Sequence, residues 1–250
     1  SIALIVNLIV RAIMFWIFLN RDIKFWQAIK LTCIARALNQ FLLTGSGYAA
    51  VSGKLKINGF PFYKSLSSFG VLELFSVIPW LLLGIYFGAR LAIRIPLFLI
   101  VLFVLVLTFA VYKRREVINF LRNSLIYLKE IRFNILTVIP LVLINVTVGI
   151  IYYFLLFRAF GFTFDLLNVL KIASMAITFG YLSPIPSGLG FKEGGMVFLL
   201  MQHNLSLSDA CYIAIADRII ITGFYIILGF LFGAEIIRNE IKRKLKIGGA

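Results

Sequence analysis

Seven ionisable residues interrupt stretches of the sequence that are otherwise almost entirely apolar: Arg11, Arg36, Glu73, Lys192, Glu193, Asp217 and Arg218. At the centre of a membrane, each such charge costs about 2.5–3.5 kcal/mol, so that the unpaired set would cost on the order of 20 kcal/mol. We therefore expect these side chains to face one another or a polar cavity. Since four bases oppose three acids, full pairing would leave about one cation for an anionic guest.

Two interpretations of these charges are open. Internal ion pairs, with long side chains reaching the membrane surface at helix ends, explain Arg11 and Lys192 best. A functional role is favoured for Glu193 and Arg218. In that role arginines hold a phosphate group, while the acids balance the arginines or bind an amino headgroup. The predicted ligand-binding residues are Gly188, Gly190, Glu193, Arg218, Asp217, Glu73 and Arg36.

The sharpest local motif is a break rich in proline, serine and glycine at residues 183–190. Gly188 and Gly190 would let backbone N–H groups approach a ligand closely. A half-helix that begins near Gly190 would point its positive end at the cavity, which favours phosphate. Capping of that helix by Glu193 is the simpler alternative. The motif lacks the lysine spacing of a Walker loop, so nucleotide binding is not expected.

The composition is that of a membrane protein. Hydrophobic residues make up 62% of the 250 residues and charged residues 14%, and the mean hydropathy is +1.02. These values exclude soluble enzymes, nucleic-acid modules, disordered chains and disulfide scaffolds. The net charge of +15 then indicates cytoplasmic loops beside anionic lipid, not nucleic acid. Cys33 and Cys211 are interpreted as packing residues, His203 has no neighbouring ligands, and no metal or cofactor is predicted.

Five stretches are predicted to cross the membrane, because each can span much of about 30 Å of hydrocarbon. The first begins without a methionine, so we expect either a trimmed chain or a fragment that lacks an N-terminal helix. The predicted spans are residues 1–19, 66–88, 91–112, 134–158 and 209–235.

Two further apolar segments, 27–43 and 166–182, are shorter and run into glycine-containing breaks. Short segments follow each break, at 48–57 and 190–203. Paired half-segments around a glycine break are typical of re-entrant hairpins, whose tips must be buried in protein or line a wet cavity. Hairpins that open to opposite faces would place the basic loop and the basic tail on the cytoplasmic side.

The order span, hairpin, span occurs twice, in residues 1–88 and again in 134–235. Shifting the chain by 144 positions places Glu73 on Asp217. Residues 89–133 would link the repeats through a span and an amphipathic surface helix at 113–133, and 236–250 would form a basic cytoplasmic tail. The prediction is one all-α polytopic membrane domain, built as an inverted repeat of transmembrane helices with two re-entrant helical hairpins.

The segment Pro186-Ser187-Gly188-Leu189-Gly190-Phe191-Lys192-Glu193, followed by Leu207-Ser208 and a span with Arg218, resembles the lysylphosphatidylglycerol synthase transmembrane (flippase-like) family. Members carry a Pro-Gly/Ser-Gly-x-Gly-x-x-Glu loop and an arginine about 25 residues later. In the N-terminal half, Asn39, the glycine loop at 45–47, Ser65-Leu66-Ser67-Ser68 and Glu73 match as well. Where many members have an acidic residue and an arginine after the first loop, Tyr48, Ala49 and Ala50 stand here.

The resemblance implies a lipid-related function. In the best-known branch, the multiple peptide resistance factor, it is translocation of aminoacylated phospholipid, and other branches accompany glycosyltransferases or isoprenoid lipid pathways. Because the residues present include no aminoacyl-transfer domain, we expect them not to make lysyl-lipid.

We therefore expect a multi-pass plasma (inner) membrane protein that translocates or binds a phospholipid or isoprenoid-lipid headgroup. The alternative is a non-transporting subunit that presents a lipid to a glycosyltransferase or lipid synthase. An intramembrane enzyme is disfavoured, because no nucleophile–base pair is present. The predicted partners are membrane lipids: an anionic or aminoacylated phospholipid, or a polyprenyl lipid. No nucleic acid is expected, and oligomerisation stays open.

Overall fold

The computed structural model describes residues 2–41, 45–57, 59–88, 114–183 and 186–247, and these ranges contain helices and no strand. The predicted all-α class is thereby confirmed. The helices are α1 (Ile2–Phe18), α2 (Phe25–Phe41), α3 (Ser46–Ile57), α4 (Phe62–Gly88), α5 (Arg114–Glu130), α6 (Arg132–Ala159), α7 (Leu166–Leu182), α8 (Phe191–Met201) and α9 (Leu207–Ile247).

Three of the predicted spans are helices long and apolar enough to cross a membrane: Phe62–Gly88, Asn134–Ala159 and Leu207–Glu235. The helix at the first predicted span, Ile2–Phe18, is apolar but has 17 residues. The predicted span 91–112 lies outside the described residues. The long helices expose large apolar side chains such as Leu82, Leu143 and Phe230, which suits contact with lipid.

Four helices form two packed pairs, α2 with α3 and α7 with α8, each joined through a glycine-containing break. In the second break, Pro186–Gly188 forms a single 3₁₀ turn. Gly188 has a φ of +68°, and a Cβ there would collide with the backbone of Gly180 on α7. Only glycine fits this position, because it tolerates both the positive φ and the close approach.

Three further pairs of helices pack side by side. Helix α4 lies along α7, α9 lies along α2, and α1 lies along α6. Gly84 of α4 faces Ser174 and Thr178 of α7, while Gly229 of α9 faces α2 at Ala37. Glycines at such crossings let two helix backbones approach closely, as is common between helices in membranes.

Helix α5 occupies the region predicted as the amphipathic helix 113–133 and packs against α4 and α6. Its Ser124 accepts a hydrogen bond of 2.8 Å from Ser67, and its Tyr127 hydroxyl donates to the carbonyl of Phe18. Burial of the Tyr127 hydroxyl raises its pKa to about 12. Tyr127 thus stays a neutral donor at ordinary pH and fixes α5 against α1.

Helix α9 extends beyond the predicted end of its span at 235. It continues to Ile247, because the sequence has neither glycine nor proline between Ala234 and Ile247 that would end the helix. The segment predicted as a separate tail therefore begins as a direct extension of the span.

Candidate functional site

The helices and both breaks line a partly open cavity of about 770 Å³. This volume falls within the usual range for small-molecule sites. Among the described residues, its charged lining comprises Arg11, Arg36, Glu73, Lys192 and Arg218, and its neutral polar lining includes Asn7, Asn39, Gln40, Asn145, Ser187 and Thr222. Helices that are apolar outside thus surround a cavity in which charged and polar groups are set among apolar ones.

The cluster around Glu73 lies on the N-terminal side of the cavity. The Glu73 carboxylate on α4 accepts hydrogen bonds from the guanidinium of Arg11 on α1 and from the hydroxyl of Tyr48 on α3. Arg11 is 3% exposed and Glu73 21% exposed. The Tyr48 ring stacks on Phe69, with 4.7 Å between centroids. Glu73 therefore ties three helices together while it lines the cavity.

A second cluster surrounds Asp217 on α9. Its carboxylate accepts a hydrogen bond of 2.6 Å from Lys192 on α8 and one of 3.0 Å from the hydroxyl of Tyr152 on α6. The Asp217 side chain is 2% exposed, and it lies behind the cavity wall. Lys192 lines the cavity and lies over the ring of Tyr153 at 5.7 Å.

The second break is anchored by Arg218 and Glu193. Nη1 of Arg218 donates to the carbonyl of Ser187 at 3.0 Å and to Oε1 of Glu193 at 3.2 Å. Oε2 of Glu193 accepts from the backbone N–H of Gly190 at 2.7 Å. Glu193 thus caps α8, the simpler alternative suggested by the sequence. Gly190 faces a smaller apolar pocket beside Phe179 and Phe198.

Arg36 is the cation of the cavity that forms no ion pair within the described residues. Its guanidinium lies over the Tyr225 ring at 5.3 Å, and its buried Nε has no hydrogen-bond partner. Within the described part of the chain the three acids near the cavity are paired with Arg11, Lys192 and Arg218, and Arg36 forms no ion pair. The structure thus assigns the surplus positive charge, expected from the sequence, to one side chain on α2.

Four of the seven predicted binding residues line the cavity: Arg36, Glu73, Gly188 and Arg218. Asp217 and Glu193 lie behind them as partners of cations, and Gly190 lies in the smaller pocket. That all seven bind a ligand stays a prediction. The interpretation of Arg11 and Lys192 as internal ion-pair partners is confirmed.

Sequence reasoning missed the neutral polar residues. Tyr48 and Tyr152 complete the two carboxylate clusters, but in a chain with 10 tyrosines nothing distinguishes them from packing aromatics. Asn39 and Gln40 gave a usable signal, because an amide within an apolar stretch also needs a polar partner. If a buried amide is treated like a buried charge, as a group that needs a polar partner, Asn39 and Gln40 are both predicted to line the cavity.

Comparison with protein-family models identifies one match. The model described as the lysylphosphatidylglycerol synthase TM region matches residues 1–229. Comparison with curated proteins and with solved structures gives no match. The family match covers α1 to α8, both breaks and the part of α9 that carries Asp217 and Arg218.

Proposed function

The chain belongs to the lysylphosphatidylglycerol synthase transmembrane family, and we propose that it binds a membrane-lipid headgroup in the cavity and moves it between leaflets. The observation that carries this proposal is the partly open cavity of about 770 Å³, whose mostly apolar lining carries charged and amide side chains, inside helices with apolar outer faces. A headgroup would enter the cavity while its acyl tails stay in the bilayer. The plasma membrane is the proposed location.

An inverted repeat is part of the proposal, and the helix contacts support it. Under a two-fold relation, a contact between one pair of elements recurs between the equivalent pair. Gly84 packs on α7 as Gly229 packs on α2. Near the proposed axis, Asn7 of α1 donates a hydrogen bond of 2.7 Å to Asn145 of α6.

We further propose that the two helix pairs are re-entrant hairpins. Helices α3 and α8 have 12 and 11 residues and reach about 18 Å at most, well short of the bilayer core. Gly45, Ser187 and Gly188 in the breaks line the cavity, as expected when irregular backbone at membrane depth must be shielded from lipid. Alternating exposure of the two hairpins would move the headgroup.

Reconstitution into vesicles with labelled phospholipids and isoprenoid lipids tests the proposal. We expect the protein to accelerate leaflet exchange over empty vesicles, and Arg36→Gln and Arg218→Ala to slow it at least about tenfold, since charge-assisted hydrogen bonds would be lost. Lys30→Gln is the matched control, because Lys30 lies on α2 with Arg36 but pairs with Glu235. Wild-type exchange no faster than in empty vesicles would contradict transport.

Binding without exchange would favour the non-transporting subunit that presents lipid to a glycosyltransferase or lipid synthase. Copurification with such an enzyme would support that alternative further. If both arginine variants exchanged lipid at the wild-type rate, the cavity would not be the route.

A further inference from the structure

The cavity carries a surplus of positive charge that its own residues do not neutralise. Its charged lining holds four cations and one carboxylate. Arg218 and Lys192 are neutralised by acids behind the wall, and Arg11 by Glu73. Arg36 remains, so the described core carries one net positive charge. A ligand with a single negative charge would bring the net charge of the occupied cavity to zero. A ligand with a single positive charge would raise it to two.

One face of α2 presents hydrogen-bond donors. Asn39 and Gln40 stand three and four residues after Arg36, on the same helix face, and all three line the cavity. The Asn39 Oδ1 already accepts from the backbone N–H of Gly47 at 2.8 Å. The Gln40 Oε1 accepts from Ser187 at 2.8 Å and from Thr222 at 3.4 Å.

The amide oxygens of Asn39 and Gln40 are therefore in use, and within the described residues their NH₂ groups donate to no protein group. Together with the Arg36 guanidinium, these NH₂ groups form a surface whose unused groups are mainly donors. A phosphodiester is the complementary ligand, because its two unesterified oxygens accept hydrogen bonds and match a guanidinium in a bidentate pair. An ammonium group, which only donates, would add a second positive charge beside Arg36.

We propose that the cavity selects lipids whose headgroup has one phosphodiester as its sole charge, held by Arg36 with Asn39 and Gln40, and that it disfavours headgroups bearing an ammonium. This assignment rests on the proposed function and narrows its substrate class. It also sets this chain apart from transport of aminoacylated lipid. The hydroxyl groups of a polyol headgroup could bond to the remaining neutral polar lining.

Binding of short-chain lipids to the purified full chain tests the assignment, with affinity read from the shift in thermal unfolding midpoint. The probes are dioctanoyl phosphatidylglycerol, its lysyl ester, dioctanoyl phosphatidylcholine and tail-free glycerophosphoglycerol. Phosphatidylglycerol is expected to bind at least about tenfold more tightly than each of the other three, from the value of a charge-assisted hydrogen bond. Equal or tighter binding of the lysyl ester would overturn the proposal, and equal binding of glycerophosphoglycerol would overturn its assignment to a lipid.

Two variants separate recognition from folding. Arg36→Gln is expected to weaken phosphatidylglycerol binding at least about tenfold, while Lys30→Gln leaves it unchanged. Asn39→Asp keeps an acceptor for the Gly47 N–H but replaces the free donor with a negative charge. It should lower the preference for phosphatidylglycerol over the lysyl ester by at least about tenfold. An unchanged preference in Asn39→Asp, with wild-type unfolding in the absence of lipid, would overturn the proposal.

Failure of this assignment and failure of transport give different results. If vesicles exchange phosphatidylglycerol and its lysyl ester equally fast, transport stands and the selectivity is wrong. If phosphatidylglycerol binds in an Arg36-dependent way but is not exchanged, the selectivity stands and transport is wrong.

Discussion

The two carboxylates that organise the cavity walls, Glu73 and Asp217, are bound by the same chemical groups carried on different helices. Each accepts from one cation and one phenol. At Glu73 the cation, Arg11, lies on α1, and the phenol, Tyr48, lies on α3, the helix after the first break. At Asp217 the arrangement is reversed, because α8, the helix after the second break, supplies the cation, Lys192, and α6 supplies the phenol, Tyr152.

Because of this difference, the helices that follow the two breaks are held by different kinds of interaction. Helix α3 is tied to α4 by the neutral hydroxyl of Tyr48, whereas α8 is tied to α9 by the Lys192–Asp217 ion pair and again by Arg218 with Glu193. The C-terminal break is thus fixed by charge, while the donor face on α2 remains free beside the N-terminal break. We expect the C-terminal side to hold the scaffold and the N-terminal side to meet the ligand.

The largest expected effect comes from removing the acids. Asp217→Asn leaves Lys192 as a buried unpaired charge and should lower the free energy of unfolding by about 3–5 kcal/mol. Glu73→Gln should also cost about 3–5 kcal/mol, because it leaves the guanidinium of Arg11 unpaired, and Arg11 is 3% exposed whereas Lys192 is 15% exposed. Denaturant titration in mixed micelles measures both.

The control for this comparison combines Lys192→Met with Asp217→Asn. Because it removes the stranded charge, it should recover most of the loss. A double variant as unstable as Asp217→Asn alone would show that the unpaired Lys192 charge is not the cause of the loss.

The crossings of α4 with α7 and of α9 with α2 should lose similar amounts of unfolding free energy when a methyl group is added. A Cβ at Gly229 would overlap Ala37 of α2, and one at Gly84 would overlap Thr178 of α7. Gly229→Ala and Gly84→Ala should each cost about 2 kcal/mol of unfolding free energy by overpacking. Gly223→Ala on the same helix as Gly229 meets no atom within 4 Å, so it should be neutral or stabilising by up to about 1 kcal/mol. A loss at one crossing alone would argue against the inverted repeat.

The tyrosines Tyr48 and Tyr152 provide a finer test of the difference between the Glu73 and Asp217 clusters. Tyr48→Phe and Tyr152→Phe each delete one hydroxyl bound to a carboxylate, at an expected cost of about 1.5 kcal/mol in unfolding free energy. Only Tyr48→Phe removes a contact made by the helix that follows a break, so it alone should increase the hydrogen exchange of the amides following its break. Increased exchange after the C-terminal break in Tyr152→Phe would contradict the distinction.

The smallest expected effect is that of Lys30→Gln. Lys30 joins α2 to α9 through Glu235, which is 38% exposed, and an ion pair with such an exposed partner contributes less than about 1 kcal/mol. The unfolding midpoint in micelles should hardly move. A loss as large as that of Glu73→Gln would mean that this contact, not the cavity clusters, holds α2.

The elements were predictable from the sequence because lipid imposes strong rules on it. The predicted half-segment 166–182 is the helix Leu166–Leu182, and the glycine breaks fall where polar residues interrupt apolar runs. The count of charges also predicted one surplus cation. What hydropathy misjudged was the end of α9, since helix propensity carries the chain on to Ile247 after the apolar run has ended.

The partners within the site were not predictable in the same way. Arg11 and Glu73 are 62 residues apart in the chain, and their contact depends on how α1 crosses α4. Hydropathy records which side chains need a partner but not which helix supplies it. For the same reason the sequence favoured Arg218 as a phosphate ligand, whereas packing supplies Arg218 with Glu193 and leaves Arg36 free.

Native mass spectrometry of the protein released from its own membrane tests most directly whether the cavity holds a lipid headgroup. One phosphodiester lipid per chain is expected to remain bound to the wild type and to Lys30→Gln, and to be lost from Arg36→Gln. A wild type that carries no lipid, or equal retention of the same lipid by Arg36→Gln, would contradict the account.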